Sequence, residues 1–281
     1  MDYTTLITPP QLQACANAVV FDCRFDLADP EAGAAAYAEG HIPGAFYLHL
    51  EHDLSGVKTG RNGRHPLPAA ETLLEKLRSC GVDNDTQVVA YDAQGGMFAA
   101  RLWCLLRWLG HISVAVLDGG LPAWQSAGGP MVTALPQARR GQLTQQPCLQ
   151  PTITADRVRD NLQRPGFLMI DARSGERFRG ERETIDPVAG HIPCAANRFF
   201  KDNLRDDGHF KPAPQLRQEW LNVPGIDAAT PVAHYCGSGV AACHNILALE
   251  IAGLNSGALY AGSWSEWCGD AARPVATGVE D

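Results

Sequence analysis

Short apolar runs alternate with segments of helical spacing along most of the chain. Val88–Tyr91 and Val114–Leu117 are continuous apolar runs of strand length, whereas residues 73–77 and 99–109 have the spacing of helices. Strands that alternate with helices predict a parallel sheet covered by helices on both faces. The pattern therefore predicts an α/β fold.

The sharpest boundary between predicted elements lies at Cys236. Val232–Tyr235 predicts a buried strand, residues 240–251 predict a helix, and Gly237, Ser238 and Gly239 form a tight loop between them. Loop amides and a helix N-terminus carry partial positive charge, which favours a thiolate at this position. The sequence thus indicates a nucleophilic Cys236, with a buried and unreactive thiol as the alternative.

The alternating pattern occurs twice. Four pairs of segments recur in the same order: residues 19–24 with 168–173, 40–45 with 190–195, 88–92 with 232–236, and 117–120 with 260–263. An internal repeat of this kind predicts two tandem domains. We place them at residues 1–135 and 151–281, with a glutamine-rich linker at 136–150 that has no clear periodicity.

The two copies differ at the predicted nucleophile. Asp92 stands where the second copy has Cys236. A carboxylate cannot replace a thiolate nucleophile, so we expect the first domain to be non-catalytic and Asp92 to cap its own loop. The second domain is then the catalytic one.

Composition narrows the classes of function. The 281 residues are 45% hydrophobic and 19% charged, and the net charge of −8 favours neither nucleic-acid nor anionic-membrane binding. No apolar run is long enough to span a bilayer, and the first residues lack the pattern of a secretory signal. The nine cysteines form no Cys-x-x-Cys or zinc-like pair, which predicts a reduced cytoplasmic protein without a metal site.

Several motifs together resemble the tandem-domain rhodanese-type sulfurtransferases. They are the paired Asp-x-Arg strands, two Gly-His-Ile-Pro turns, the Cys-Gly-Ser-Gly-Val-Ala loop and the Gly-Ser-Trp-Ser-Glu-Trp segment near the end. The loop is most similar to that of 3-mercaptopyruvate sulfurtransferases, since thiosulfate sulfurtransferases more often carry Cys-Arg-Lys-Gly-Val. The resemblance implies two parallel-sheet rhodanese domains. It also implies a persulfide on Cys236, no cofactor, a small-molecule sulfur donor, and a thiol, cyanide or thioredoxin-type acceptor.

The resemblance also implies a set of site residues. His65 and Asp53 fall where the family has a histidine and an aspartate that join the loop serine, here Ser238, in handling a proton. Main-chain amides of the loop would surround the sulfur; they belong to Gly237, Gly239, Val240 and Ala241.

Two arginines bind substrate in the family, and one position is clear here. Arg177 falls on the first position. The chain is shorter where the second belongs, and Arg182 is the candidate, with Arg179 as the alternative.

The lack of charged side chains in the cysteine loop affects which sulfur donor we expect. Thiosulfate is a small dianion that cationic side chains beside the cysteine would hold, whereas Gly237 and Ser238 add no charge. This favours 3-mercaptopyruvate, whose carboxylate lies away from its sulfur. Thiosulfate:cyanide sulfurtransfer and persulfide relay to a protein partner remain open. A phosphatase is disfavoured, because Ala242 stands where such enzymes need a phosphate-binding arginine.

Overall fold

The computed structural model describes residues 2–137 and 139–278, so Met1, Ala138 and residues 279–281 of the predicted domains and linker lie outside it. The chain divides into two compact units. The first unit holds the described residues within Met1–Gly56, Leu67–Leu149 and Arg205–Phe210; the second holds those within Val57–Pro66, Gln150–Leu204 and Lys211–Asp281. Residues 57–66 thus belong to the second unit, although they precede most of the first copy's helices.

The first unit is built on a five-stranded parallel sheet. Its strands are β1 (Leu6–Ile7), β2 (Val19–Asp22), β3 (Phe46–Tyr47), β4 (Val88–Tyr91) and β5 (Val114–Leu117). Their spatial order is β1-β5-β4-β2-β3. Its helices are α1 (Pro9–Ala14), α2 (Ala32–Glu39), α3 (Ala70–Ser79), α4 (Ala99–Trp108) and α5 (Gly120–Ser126).

The second unit repeats this arrangement. Its strands are β6 (Thr152–Ile153), β7 (Leu168–Asp171), β8 (Ala195–Asn197), β9 (Val232–Tyr235) and β10 (Ala258–Tyr260), in the order β6-β10-β9-β7-β8. Its helices are α6 (Ala155–Gln163), α7 (Gly175–Phe178), α8 (Ala213–Leu221), α9 (Ala241–Ile251) and α10 (Ser263–Trp267), with a 3-10 helix at Phe200–Asn203. Two parallel sheets with the same strand order confirm the predicted α/β class.

Most of the elements predicted from periodicity are present. β4, β5 and β9 coincide with the predicted strands, and all of their residues are buried. The predicted helices at 99–109 and 240–251 are α4 and α9, each one residue shorter, and residues 73–77 form the middle of the longer α3. Continuous apolar runs are the expected pattern for strands with neighbours on both sides and both faces covered.

Helix α9 lies in the core of the second unit. Eight of its 11 residues are buried, and it carries no Lys, Arg or Asp. Its polar residues are His244, Asn245 and Glu250, and the first two are buried together with the apolar majority, so the helix packs inside the unit. Among the residues described, no helix has both the length and the apolar character needed to cross a membrane.

A buried ion pair recurs in both units. Arg24 bonds the Asp22 carboxylate at 2.6 Å and the carbonyl oxygen of Gly40 at 2.7 Å. Arg173 makes the corresponding bonds in the second unit, to Asp171 at 2.7 Å and to its own Gly-His-Ile-Pro turn. Each pair therefore ties β2 or β7 to the turn that precedes the next strand, and removing one partner would leave a buried charge uncompensated.

The predicted linker lies along the first unit. Gly141 N–H donates to Arg78 O at 2.8 Å, and Leu143 N–H donates to Val82 O at 3.1 Å. The Leu143 side chain is buried. The described part of residues 136–150 contains neither helix nor strand. The domain boundaries themselves stay predictions.

The residue after each Gly-His-Ile-Pro motif has a left-handed backbone conformation, and substitutions there measure how much free energy this conformation costs. Gly44 and Cys194 both have positive φ, 78° and 61°. A methyl group at position 44 would meet no heavy atom within 4 Å, so only the backbone opposes it. We expect Gly44→Ala to lower the free energy of unfolding by about 1 kcal/mol, because the left-handed region disfavours L-residues by that order. Urea unfolding measures the change.

The second copy supplies the opposite substitution. Cys194→Gly removes the side chain from a left-handed position and should raise the free energy of unfolding. Unchanged stability in Gly44→Ala would contradict the argument.

Candidate active site

Cys236 lies at the carboxyl end of β9 and is 4% exposed. Its Sγ accepts hydrogen bonds from the amides of Ser238 at 3.4 Å and Gly239 at 3.1 Å. Gly239 has φ of 79°, and a methyl group there would lie 2.4 Å from the carbonyl oxygen of Ala261, so only glycine fits. Fixed main-chain donors of this kind stabilise negative charge on the atom that they face.

The start of α10 holds the loop from the other side. Cys236 N–H donates to Ser263 Oγ at 3.1 Å, and Trp264 N–H donates to Cys236 O at 2.9 Å. Ser265 N–H donates to Gly237 O at 2.9 Å. Ser263 has φ of 56°, an uncommon conformation for serine, and its hydroxyl also donates to Tyr260 O at 2.9 Å. The Gly-Ser-Trp-Ser motif near the end of the sequence therefore fixes the cysteine loop.

Main-chain amides of the cysteine loop differ in whether they bond Cys236 Sγ itself. Those that bond Sγ, among the residues described, belong to Ser238 and Gly239. Val240 is the N-cap residue of α9 and Ala241 is its first residue. Their amides lie in the turn where a helix has no internal acceptor for its N–H groups.

Ser238 and His65 lie together within the second unit. His65 Nδ1 is 2.8 Å from Ser238 Oγ, and both side chains are buried. His65 lies in the 57–66 segment. Because Ser238 is two residues after Cys236, the pair lies on the same short loop as the thiol.

Asp53, the third predicted member, lies in the first unit. Its carboxylate is 2.9 Å from Lys76 Nζ and accepts the amide of His49 at 2.8 Å. Asp53 therefore has two contacts within its own unit.

Two guanidinium groups meet at one buried carboxylate. Arg177, in α7, bonds both oxygens of Glu183 through Nε and Nη2, at 3.0 and 2.9 Å. The same Nη2 lies 3.0 Å from Asp186 Oδ2, while Arg64 Nη1 bonds the other oxygen of Asp186. The Glu183 and Asp186 side chains are only 3% and 2% exposed.

One further nitrogen of each arginine faces the cysteine loop. A methyl group at Gly237 would lie 2.8 Å from Arg64 Nη2 and 3.5 Å from Arg177 Nη1. Within the described ranges, neither nitrogen donates a hydrogen bond to the protein. The absence of a side chain at Gly237 thus leaves room for two cationic donors beside the loop that carries the thiol.

Burial and hydrogen bonding move the pKa values of the two acids in opposite directions. Burial raises the pKa of Asp186, and this outweighs the lowering by Arg64 and Arg177. Burial also raises the pKa of Glu183. The amides of Ile185 and Asp186 and the Arg177 guanidinium outweigh it, so that the pKa falls below its usual value.

The sequence candidates for the second arginine contact acidic side chains of their own segment. The Arg182 side chain is 73% exposed, and its Nη1 is 3.9 Å from Glu176. Arg179 bonds Glu181 at 2.7 and 2.8 Å. Arg64 was not predicted, although it directly precedes His65. The sequence signal that could have indicated Arg64 is its place on the same loop as a predicted site histidine.

The corresponding loop of the first unit encloses a carboxylate. Asp92 is fully buried, and its two oxygens accept four main-chain amides, from Gln94 at 2.8 Å, Gly96 at 2.9 Å, Phe98 at 2.8 Å and Ala99 at 3.0 Å. Burial raises the Asp92 pKa, although these four bonds lower it. The loop is therefore an anion cradle that its own side chain fills, which agrees with the capping role that we expected.

One cluster of possible metal ligands occurs among the residues described. It comprises Glu31, His49 and His52, whose ligand atoms lie within 4.8 Å of one another. His49 Nδ1 accepts the amides of Glu51 at 3.1 Å and His52 at 3.3 Å. The neutral ring therefore carries its proton on Nε2, which does not suit coordination of a metal through that atom.

Comparison with known proteins agrees with the two-unit architecture. A family model described as a rhodanese-like domain matches residues 10–127 and 154–270. A Pseudomonas aeruginosa protein named "Probable 3-mercaptopyruvate sulfurtransferase" is 48% identical, over 99% of this chain and 100% of its own length. A chicken thiosulfate sulfurtransferase is 34% identical, over 82% of this chain and 79% of its own length.

A solved structure shows the same fold. The 3-mercaptopyruvate sulfurtransferase of Leishmania major superposes with a TM-score of 0.83 and 29% identity, over 95% of this chain and 74% of that protein. Both halves of the chain match one domain model, and the full-length similarity to the bacterial relative covers both of them. The chain therefore belongs to the rhodanese family of sulfurtransferases and carries two rhodanese-like domains.

Proposed function

We propose that the chain moves a sulfane sulfur from 3-mercaptopyruvate to an acceptor through a persulfide on Cys236. The observation that carries the proposal is the position of Cys236 Sγ, which faces two main-chain amides. A proton-carrying pair and two cationic nitrogens lie on or beside the same loop. The relatives named as 3-mercaptopyruvate sulfurtransferases support this donor.

The first half-reaction transfers sulfur to the enzyme. The Cys236 thiolate attacks the thiol sulfur of the donor, an S–S bond forms, and the donor's C–S bond breaks with its electron pair left on the pyruvate enolate. The proton of the donor thiol ends on the methyl carbon of pyruvate. The outer sulfur then carries the negative charge, and the loop amides, among which we include Gly237, Gly239, Val240 and Ala241, stabilise it.

Proton delivery falls to Ser238 and His65. A hydroxyl and an imidazole nitrogen 2.8 Å apart can pass a proton to a carbanionic leaving group. Asp53 keeps the role of third member that the family resemblance implies. Its contacts with Lys76 and His49 lie within the first unit and do not add support.

The donor's carboxylate has a matching pair of cations. Arg64 Nη2 and Arg177 Nη1 face the space beside Gly237. Two guanidinium nitrogens on one carboxylate give charge-assisted hydrogen bonds that fix its orientation. We assign Arg64 to the position for which the sequence suggested Arg182.

The second half-reaction returns the thiolate. A thiol, cyanide or the thiolate of a thioredoxin-type protein attacks the outer sulfur, and Cys236 leaves as the anion. No metal or organic cofactor takes part in either half-reaction. Cys236 is a free thiol, as are Cys15, Cys23, Cys80 and Cys268, which fits a reducing compartment such as the cytoplasm.

Cys236→Ser should abolish turnover with every donor, because an alcohol at this position forms no persulfide. Mass spectrometry after incubation with 3-mercaptopyruvate should show an adduct of about 32 Da, one sulfur atom, on wild-type Cys236 and none on the variant. Full activity in Cys236→Ser would refute the assignment.

His65→Gln should lower kcat with 3-mercaptopyruvate by about 100-fold, the size typical of a lost general acid, and change KM much less. Steady-state rates with cyanide as acceptor measure this. The exposed His52 provides the matched control, since His52→Gln removes an imidazole that lies outside the proposed site. Equal kcat values for His65→Gln and wild type would remove His65 from the mechanism.

Arg64→Ala and Arg177→Ala should each raise KM for 3-mercaptopyruvate by about tenfold or more, with a smaller change in kcat, because each removes a charge-assisted bond to the carboxylate. Arg182→Ala decides between the two candidates for the second position. If Arg182→Ala raised KM and Arg64→Ala did not, the sequence-based candidate would be correct.

Thiosulfate:cyanide sulfurtransfer is the second candidate, since the chicken relative carries the thiosulfate name and the two guanidinium groups would attract any anion. Comparing kcat/KM for the two donors separates these functions. A persulfide relay would instead form the Cys236 adduct and pass it only to a protein thiol, with slow turnover on cyanide.

A further inference from the structure

We propose that Asp186 sets the donor preference of this site, because its carboxylate joins the two substrate-facing guanidinium groups and opposes a second negative charge on the donor. The inference rests on the sulfur-transfer function proposed above. It assigns to Asp186 a specificity role beside the reacting atoms, distinct from binding the donor directly.

The geometry gives Asp186 a shared position. One of its oxygens bonds Arg64 Nη1 and the other lies 3.0 Å from Arg177 Nη2. Of the guanidinium nitrogens that these bonds leave, Arg64 Nη2 and Arg177 Nη1 are the ones near Gly237. A single carboxylate therefore bonds one nitrogen of each guanidinium group, and another nitrogen of each group stays available to bind the sulfur donor.

Asp186 is itself held in place. Its amide donates to Glu183 Oε1 at 3.1 Å, as the amide of Ile185 does at 2.9 Å. Arg173 Nη1 lies 3.4 Å from the other oxygen of Glu183. The result is a continuous row of alternating charges that runs Asp171, Arg173, Glu183, Arg177, Asp186, Arg64.

This row fixes the electrostatic balance of the site. It contains three guanidinium groups and three carboxylates, so their formal charges cancel before a donor binds. Asp186 and Glu183 are buried, and salt screens buried charges much less than exposed ones. The first negative charge of a sulfur donor meets two oriented guanidinium nitrogens, and once it is bound the row and the sulfur donor together carry a net negative charge. That net charge, to which Asp186 contributes, opposes the second charge of thiosulfate.

The cysteine loop does not change this balance. Gly237 and Ser238 bring no charge, and a larger side chain at 237 would enter the space that the arginines occupy. Among the side chains placed at this site, the positively charged hydrogen-bonding groups beside Gly237 therefore belong to Arg64 and Arg177. The net attraction of the two arginines for an anion depends on how much of their charge Asp186 compensates. This makes Asp186 the residue that sets selectivity between anionic sulfur donors.

The test compares donors in Asp186→Asn, a substitution of nearly equal shape that removes the charge. We expect the ratio of kcat/KM for thiosulfate to kcat/KM for 3-mercaptopyruvate to rise by about tenfold or more, since the extra donor charge interacts with one carboxylate fewer. Added salt should reduce this rise only weakly. Glu181→Gln is the matched control: it removes an exposed carboxylate of the same segment, which pairs with Arg179, and should leave the ratio unchanged.

Asp186→Glu separates charge from shape. It keeps the negative charge, so we expect it to keep the wild-type donor preference even if both rates fall. If Asp186→Asn is too unstable to purify, Asp186→Ser removes the same charge and should shift the ratio in the same direction. Equal losses on both donors in the neutral variants would show that Asp186 is only structural and would overturn the proposal.

Failure of this inference is distinguishable from failure of the proposed function. A wild-type enzyme that prefers 3-mercaptopyruvate, with an Asp186→Asn ratio unchanged, refutes the role of Asp186 and leaves the function intact. A wild-type preference for thiosulfate overturns the donor assignment and this inference together. The sulfur adduct on Cys236 still tests sulfur transfer in that case.

Discussion

The site depends on the contact between one sulfur atom and two main-chain amides, because no lysine or arginine occurs among residues 236–242 to stabilise an anion there. Main-chain donors point at Sγ only if the chain turns sharply after β9. Gly239 permits that turn, and the bonds from Ser263, Trp264 and Ser265 hold it. The strand order of the second sheet brings β10, and with it α10, next to β9. The fold thus supplies the electrostatics that the loop's own side chains lack.

The first unit shows that the cradle is a property of the fold. There the same strand–loop–helix unit directs four amides at Asp92, whose carboxylate fills the space permanently. One copy thus holds a fixed anion for stability, and the other faces a sulfur that can change its bonding. A buried carboxylate needs this many partners to remain in an apolar surrounding. The same requirement explains why the loop conformation persists in the copy that has Asp92 at the cysteine position.

Sequence reasoning found what depends on local pattern. The apolar runs located β4, β5 and β9, and the repeat predicted two similar units because the motifs recur in order. The pairing of Ser238 with His65, suggested by the family resemblance, is present at hydrogen-bond distance. Arg64, which we propose for the second arginine position, was not predicted, because its approach to Gly237 joins segments far apart in the chain, which no periodicity reports. Arg182 was considered because the family's second arginine falls a little before the second Gly-His-Ile-Pro turn, where this chain is shorter. Its side chain is largely exposed and lies 3.9 Å from Glu176. Spacing along a loop does not determine the direction of its side chains.

The position of charge around the thiol follows from these constraints. A loop that must turn tightly has glycine where a cationic side chain would otherwise stand, so positive charge has to come from other segments. Arg64 and Arg177 supply it, but a guanidinium group in a partly buried site needs its own counter-charge to stay oriented. Glu183 and Asp186 provide that counter-charge, and in doing so they reduce the attraction that the site exerts on any anion. The carboxylates that orient the two guanidinium groups therefore also lower the net positive charge of the site. On the function that we propose, such a site would discriminate sulfur donors by where their charge lies more than by how much charge they carry, which suits a carboxylate set apart from the sulfur that reacts.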